Sequence, residues 1–362
     1  MRTKNKVVLN FGLALLVGAT LAGTALSPAV AASTPLPAVP NFQSAVPAAA
    51  AAGGFANRLS AWYQSDGVVY VGITHPTGHE LAALRTKFGH NVQVFAEPQF
   101  STMVKRTPIV HAPALVHRSG PAKPNLARTA VGAQSVSPAT TTPGNYPPFI
   151  DSAPYWGGDR IVSTQGQYIV QCTVTGAYGN GAPTYMMTAG HCGPTGTVWD
   201  QGYYDGTNIQ YSGTMGTDVN TSWGNNRIDG ELLSGNSYGT YVWTGSNSAL
   251  AVAGIGRVTP GSSICTDGSF TGHTCGATVA SVNTCANIND NGTNFVVCGL
   301  DIANANVRVV QAGDSGGPVL TGETSTSTQI AGSISAGSSD GLQVLFTDSG
   351  RQSDVFGVTP AS

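Results

Sequence analysis

The sequence predicts an all-β fold over residues 151–362, an antiparallel barrel or sandwich, preceded by a small α+β unit. Composition is the first observation behind this. Only 9% of the 362 residues are charged while 41% are hydrophobic, and 47 are glycine. A disordered chain would carry more charge and less apolar content. Texture is the second. From Tyr155 onward, short apolar or alternating runs at 167–172, 184–188, 231–233, 278–282, 294–297 and 307–310 are separated by Gly/Asn/Ser/Asp turns. No long helical pattern breaks them except near the C-terminus, and many short strands with frequent turns are the mark of a barrel or sandwich.

The N-terminus reads as an export signal over residues 1–32. Arg2, Lys4 and Lys6 precede an apolar stretch, and small residues close it at Ala31 and Ala32. The clean apolar run, 11–26, is shorter than the ~20 residues a spanning helix needs. Residues 33–54 are rich in Ala and Pro and read as a tether. A folded unit is expected over 55–105, with strands at 68–73 and 91–95 around a helix at 80–88. The proline-rich 106–150 reads as an exposed linker.

Charge divides the chain near residue 150. Residues 33–150 carry eight Lys/Arg against three acids, a net of +5, and residues 151–362 carry five Arg against fifteen acids, a net of −10. Opposite signs favour contact between the two parts.

Cys172, Cys192, Cys265, Cys275, Cys285 and Cys298 are the six cysteines. An even number in an exported chain predicts disulfides, with 15 pairings open. Neither C-x-x-C pairs nor H-E-x-x-H occurs, so no metal and no cofactor is expected.

The chemistry concentrates in Gly-Asp-Ser-Gly-Gly-Pro at 313–318. A serine hydroxyl needs a base to become a nucleophile. Glycines beside Ser315 permit a sharp turn in which the amides of Gly313 and Ser315 can face a developing oxyanion. A nucleophile elbow of the α/β-hydrolase kind would require a histidine after the serine. None follows Ser315. Upstream, past residue 150, stand only His191 and His273. Thr-Ala-Gly-His-Cys at 188–192 sets His191 just after a strand and beside a cysteine. Histidine titrates nearest neutrality and so suits proton transfer in both directions. His273 reads as structural.

The acid that orients the imidazole comes from Asp200, Asp205, Asp218, Asp229, Asp267, Asp290 and Asp301. Asp229, heading the apolar strand 231–233, is favoured over Asp218.

The strings at 188–192 and 313–318, in the order His, Asp, Ser, resemble the trypsin/chymotrypsin superfamily. Gly157-Gly-Asp159, the cysteine hairpin 265–276 and Ile334-Ser-Ala-Gly-Ser338 resemble its streptogrisin and α-lytic protease branch. The resemblance covers 155–362. It implies two antiparallel Greek-key barrels, a secreted serine endopeptidase working through an acyl-enzyme, and 33–150 as a propeptide that helps the protease fold and is then removed; the opposite charge of 33–150 further predicts that it blocks the active site until cleaved. It implies Ser335 beside the acid, and Ser335, Ala336 and Gly337 lining the specificity pocket and pairing with substrate backbone. It further implies the pairs Cys172–Cys192 and Cys265–Cys275, leaving Cys285–Cys298.

Two positions depart from the pattern. Gln311 replaces a cysteine usual four residues before the nucleophile. Val309 stands where a trypsin-like enzyme carries Asp, so an apolar residue is expected before the cleaved bond. Polypeptides are the expected partners, with no nucleic acid, no stable membrane association and a monomeric state. The alternative class, a non-catalytic binding protein on the same fold, would lack one of the three residues.

Overall fold

A computed structural model describes residues 41–120, 123, 148–245 and 248–362. The expected signal at 1–32, the start of the tether and linker residues 124–147 lie outside the described residues.

The chain opens with α1 (Phe42–Ala52), β1 (Leu59–Ser65), β2 (Val68–Ile73), α2 (Gly78–Phe88), β3 (Val92–Ala96) and β4 (Phe100–Thr102). Asp66 and Gly67, both at positive φ, make the tight turn between β1 and β2, as a two-residue hairpin requires. Thr77 and Glu80 form a capping box that starts α2. That helix crosses over to set β3 parallel to β2. Val46, Ala50, Phe55, Trp62, Val69, Val71, Leu84 and Val92 share one core.

The expected tether is therefore corrected in part. Residues 42–52 are helical, because an alanine run favours helix and Val46 and Ala50 fall on one face, where both are buried.

Two further short strands, β5 (Lys105–Pro108) and β6 (Leu115–His117), occupy part of the expected linker. β5 adds antiparallel to the strand Tyr168–Thr173 and β6 parallel to the strand Ile209–Ser222. Proline-rich composition conceals this, since edge strands tolerate proline.

The first barrel comprises β8 (Arg160–Gln165), β9 (Tyr168–Thr173), β10 (Gly176–Gly179), β11 (Tyr185–Thr188), β12 (Val198–Tyr204), β13 (Ile209–Ser222) and β14 (Gly230–Ser234), in the spatial order β10-β11-β14-β13-β12-β8-β9. Each strand feeds one core: Ile161, Val170, Ala177, Met186, Trp199, Met215 and Leu233. β7 (Tyr155–Gly157) lies parallel to β15 (Tyr238–Gly245), and β16 (Ser248–Ile255) carries the chain onward.

The second barrel is a closed ring of β17 (Ser263–Gly268), β18 (Gly272–Asp290), β19 (Thr293–Asn304), β22 (Gln343–Asp348), β21 (Ser327–Gly337) and β20 (Pro318–Thr321), which returns to β17. The jump from the third strand of the ring to its sixth is a Greek-key return. Closure leaves no free edge. A C-terminal helix, α3 (Ser349–Phe356), matches the helical pattern expected there, and β23 (Thr359–Pro360) closes onto β10.

One expected strand is absent: 307–310 is a loop. Val309 and Val310 are buried, and a short buried apolar run reads the same in either conformation. The three disulfides join Cys172 to Cys192, Cys265 to Cys275 and Cys285 to Cys298, the pairs that the resemblance implied.

Candidate active site

His191 follows β11 on a turn tied by the Cys172–Cys192 disulfide. Gly190 makes this turn possible. A Cβ there would lie 2.2 Å from the Ser222 carbonyl oxygen and 2.7 Å from that of Gly230. Only glycine lets the turn press against the start of β14, and that contact brings His191 to Asp229. The Asp229 carboxylate answers both the backbone and the ring of His191. Its Oδ1 accepts from the His191 amide at 3.1 Å, and its Oδ2 lies 2.7 Å from Nδ1. From β21 of the other barrel, the Ser335 hydroxyl donates to the same Oδ2.

Ser315 enters from the second barrel, on the loop before β20. Its Oγ is 2.6 Å from His191 Nε2. The alcohol, imidazole and carboxylate thus form one hydrogen-bonded series, and both side chains of the His191–Asp229 pair are fully buried. Such a series can move a proton from oxygen to nitrogen while the carboxylate stabilises the imidazolium. Asp218 is elsewhere: its carboxylate bonds the Asn220 amide and the Thr221 hydroxyl.

The Gly313 and Ser315 amides both donate to one carbonyl oxygen, that of Met103, at 2.5 and 3.2 Å. Gly313 has φ +105°, and a Cβ there would strike the Phe270 ring at 2.2 Å. Asp314 turns the opposite way. It is buried and accepts from the amides of Gln311, Phe270 and Thr271 and from the Thr271 hydroxyl. Burial raises its pKa and these bonds oppose the rise. They pin the loop that aims the Gly313 and Ser315 amides. Gln311, which replaces the usual cysteine, is held by its own bond to the Phe270 carbonyl at 2.7 Å.

Of the expected pocket residues, Val309, Ala336 and Gly337 gather around Met103 and the residues just before it, while the Ser335 hydroxyl turns to Asp229. The Met103 side chain shares a core with Val309 and Val310. Its Cε lies 3.5 Å from where a Gly337 Cβ would be. Thr102 pairs with Ala336 and Ser101 with Gly337, antiparallel.

Beside the imidazole a cavity of about 410 Å³ is lined by Arg106, His191, Trp223, Arg227 and Asp290 among others. The Trp223 ring stands 5.1 Å from that of His191. Met103, Arg106, Trp223 and the part played by Asp290 were not foreseen. Asp290 was visible only as one acid among seven, and nothing in the string at 101–106 marks it as a segment that enters a cleft.

His273, expected to be structural, pairs with Glu323 at 3.4 Å, away from the serine. Among the described residues one group of potential metal donors gathers: Cys265, His273, Cys275 and Glu323. Both sulfurs are spent in a disulfide, so they are not thiolate ligands.

Two antiparallel barrels with this site in the cleft between them are the chymotrypsin-like arrangement expected above. No protein-family model matches the chain, and no curated protein matches it. Among solved structures it is similar to the chymotrypsin of Cellulomonas bogoriensis, at 26% identity and TM-score 0.42 over 56% of this chain and 96% of that one. It is similar to protease A of Thermobifida fusca, at 25% identity and TM-score 0.44 over 57% and 98%. An α-lytic protease homolog, N4, gives 22% identity and TM-score 0.43 over 57% and 98%.

Proposed function

We propose that this chain is the precursor of a secreted serine endopeptidase. Ser315 attacks the carbonyl carbon of a peptide bond. His191 takes the serine proton and returns it to the leaving amine. Asp229 orients the imidazole and stabilises its charge. The Gly313 and Ser315 amides hold the oxyanion, and water then releases the acyl group.

One observation carries this reading. The Met103 carbonyl oxygen accepts from the Gly313 and Ser315 amides while Ser315 Oγ sits 2.6 Å from an imidazole backed by Asp229. A carbonyl held by two amides beside an activated alcohol is the geometry acyl transfer requires.

Substrate backbone adds to β21 at Ala336 and Gly337 as an extra strand. The pocket around Val309 and Val310 takes an apolar side chain, since a charged one would lose water without a partner. Residues 1–32 direct export, and the segment ahead of the barrels keeps the enzyme latent and helps it fold.

The test is Ser315→Ala in the processed chain. Casein hydrolysis falls by ~10⁶-fold with an unchanged thermal unfolding midpoint, and a fluorophosphonate labels the parent protein at Ser315 alone. Retained proteolysis in the variant overturns the assignment.

A further inference from the structure

The segment around Met103 crosses the cleft as a substrate would. Before the Met103–Val104 bond, β4 adds to the second barrel, with Ser101 opposite Gly337 and Thr102 opposite Ala336. After it, β5 adds to the first barrel, with Lys105 opposite Gln171, Arg106 opposite Val170, Thr107 opposite Ile169 and Pro108 opposite Tyr168. Between them, the Met103 carbonyl oxygen meets the Gly313 and Ser315 amides, and its side chain fills the apolar pocket.

Asp290 spans the bond. Its Oδ1 accepts from the Thr102 hydroxyl at 2.9 Å on one side and from Arg106 Nη1 at 2.5 Å on the other. Arg106 Nη2 also donates to the His191 carbonyl at 3.1 Å. One carboxylate therefore ties both flanks of a single peptide bond to the site.

We propose that Met103–Val104 is the first bond this enzyme cuts, and that the chain from Val104 onward then stays strapped to the first barrel. The inference rests on the endopeptidase reading above. Ser315 Oγ attacks the Met103 carbonyl carbon as its proton passes to His191 Nε2. The C–N bond breaks and that proton goes to the Val104 nitrogen, leaving Met103 as an ester on Ser315. One water then attacks the ester, giving its proton to His191, which reprotonates Ser315. The products are a Met103 carboxylate and a Val104 amine, with one water consumed.

Neither product is free to leave at once. Upstream of the cut, β1 pairs with β18 at Ala61–Ala286 and Trp62–Cys285, and β4 pairs with β18 at Phe100–Ile288. Downstream, β5 keeps its ladder and β6 holds Leu115, Val116 and His117 against Ile209, Gln210 and Tyr211. Arg118 Nε donates to Gln210 at 2.6 Å. Farther on, Lys123 pairs with buried Asp151 at 2.6 Å, its ammonium 4.0 Å from the Trp156 ring centroid. The Val104 amine thus remains beside the acyl group it left, where it can reform the bond, and the cut protein stays latent until the upstream piece is removed. The propeptide expected as one block over 33–150 becomes a releasable piece ending at Met103 and a strap beginning at Val104.

The full chain carrying a C-terminal affinity tag tests this, in parent, Ser315→Ala and Met103→Asp forms, by N-terminal sequencing and intact mass. Parent protein should yield two co-eluting pieces, the tagged one beginning at Val104. Ser315→Ala should remain uncut at this bond, and Met103→Asp should slow the cut by ~100-fold by placing a charge in an apolar pocket. If Met103→Asp fails to fold, parent against Ser315→Ala still decides. A tagged piece beginning near residue 151, from protein that hydrolyses casein, overturns the inference and leaves the endopeptidase reading standing. Cleavage at neither this bond nor casein overturns both.

Discussion

Ser335 and Asp229 meet across the boundary between the two barrels, the hydroxyl of the first donating to Oδ2 of the second. That oxygen also faces His191 Nδ1 at 2.7 Å. One barrel carries His191 and Asp229, the other carries Ser315 and this extra donor. A fully buried carboxylate depends on such donors to replace the hydration it has lost.

Ser335→Ala removes one bond to a buried charged group, an interaction of about 1.5–3 kcal/mol. The expected result is a ~10- to 100-fold lower kcat/KM on a peptide substrate, carried mainly by kcat because the imidazolium forms only as the serine attacks. KM should move little. A variant with unchanged kcat would show that Asp229 does not draw on this hydroxyl.

Gly190→Ala probes how closely the His191 turn packs. Its Cβ would fall 2.2 and 2.7 Å from two backbone carbonyl oxygens, neither of which moves easily. Overpacking of this kind costs about 1–3 kcal/mol, to be read as a lower denaturant midpoint. Activity should fall by ~100-fold or more in protein that is still folded, because a displacement near 1 Å at the base misaligns it with Ser315. Loss of stability without loss of activity would count against this coupling.

That His191, Asp229 and Ser315 would come together, as they do, was legible because their local strings are unusual and few residue types can serve as nucleophile, base and orienting acid. The strands were legible as alternating runs between turns. Less visible were features set by contacts between distant segments. The helix at 42–52 exists because Val46 and Ala50 bury against Trp62 and Leu84, a partnership composition does not encode. The segment at 307–310 reads as a strand because Val309 and Val310 are apolar, yet they are buried from a loop, in one core with Met103. The strand at 105–108 contains a proline and two basic residues, and only the open edge of β9 makes it a strand. Asp290 looked like any acid until Thr102 and Arg106 came to it from 184 or more residues away in sequence.

Asp267 gives a pH-dependent prediction for the second barrel. Burial pushes its carboxyl up to about 8, with His273 opposing and Glu323 and Asp314 adding to the rise. Its Oδ2 has no hydrogen-bond partner among the described residues. A carboxyl raised on folding favours the protonated native state, so its contribution is full at acid pH and is lost as the pH climbs from the ordinary 3.8 through about 8. Asp267→Asn should therefore match the parent in thermal midpoint at pH 4 and exceed it at pH 9. An equal difference at both values would rule this group out as the source.

Glu97 gives a second, at the contact between the upstream segment and the barrel. It lies just past β3, and its Oε1 accepts from Gln343 Nε2 on β22 at 3.0 Å. Burial pushes its carboxyl up to about 7, against the opposing effect of the Gln343 bond. Undocking returns it to water and to the ordinary carboxylate range, near 4.5. The docked state thus prefers the neutral acid. Docking is strongest below about 4.5 and weakens as the pH rises through about 7, where the charge must be buried or the contact opened. Glu97→Gln keeps a polar group beside Gln343 and removes the charge. In the full chain held uncut by Ser315→Ala, the added Glu97→Gln change should leave protease sensitivity of residues 41–103 unaltered at pH 4 and reduce it at pH 8. Sensitivity that is independent of pH in both proteins would mean that the carboxyl does not report on docking.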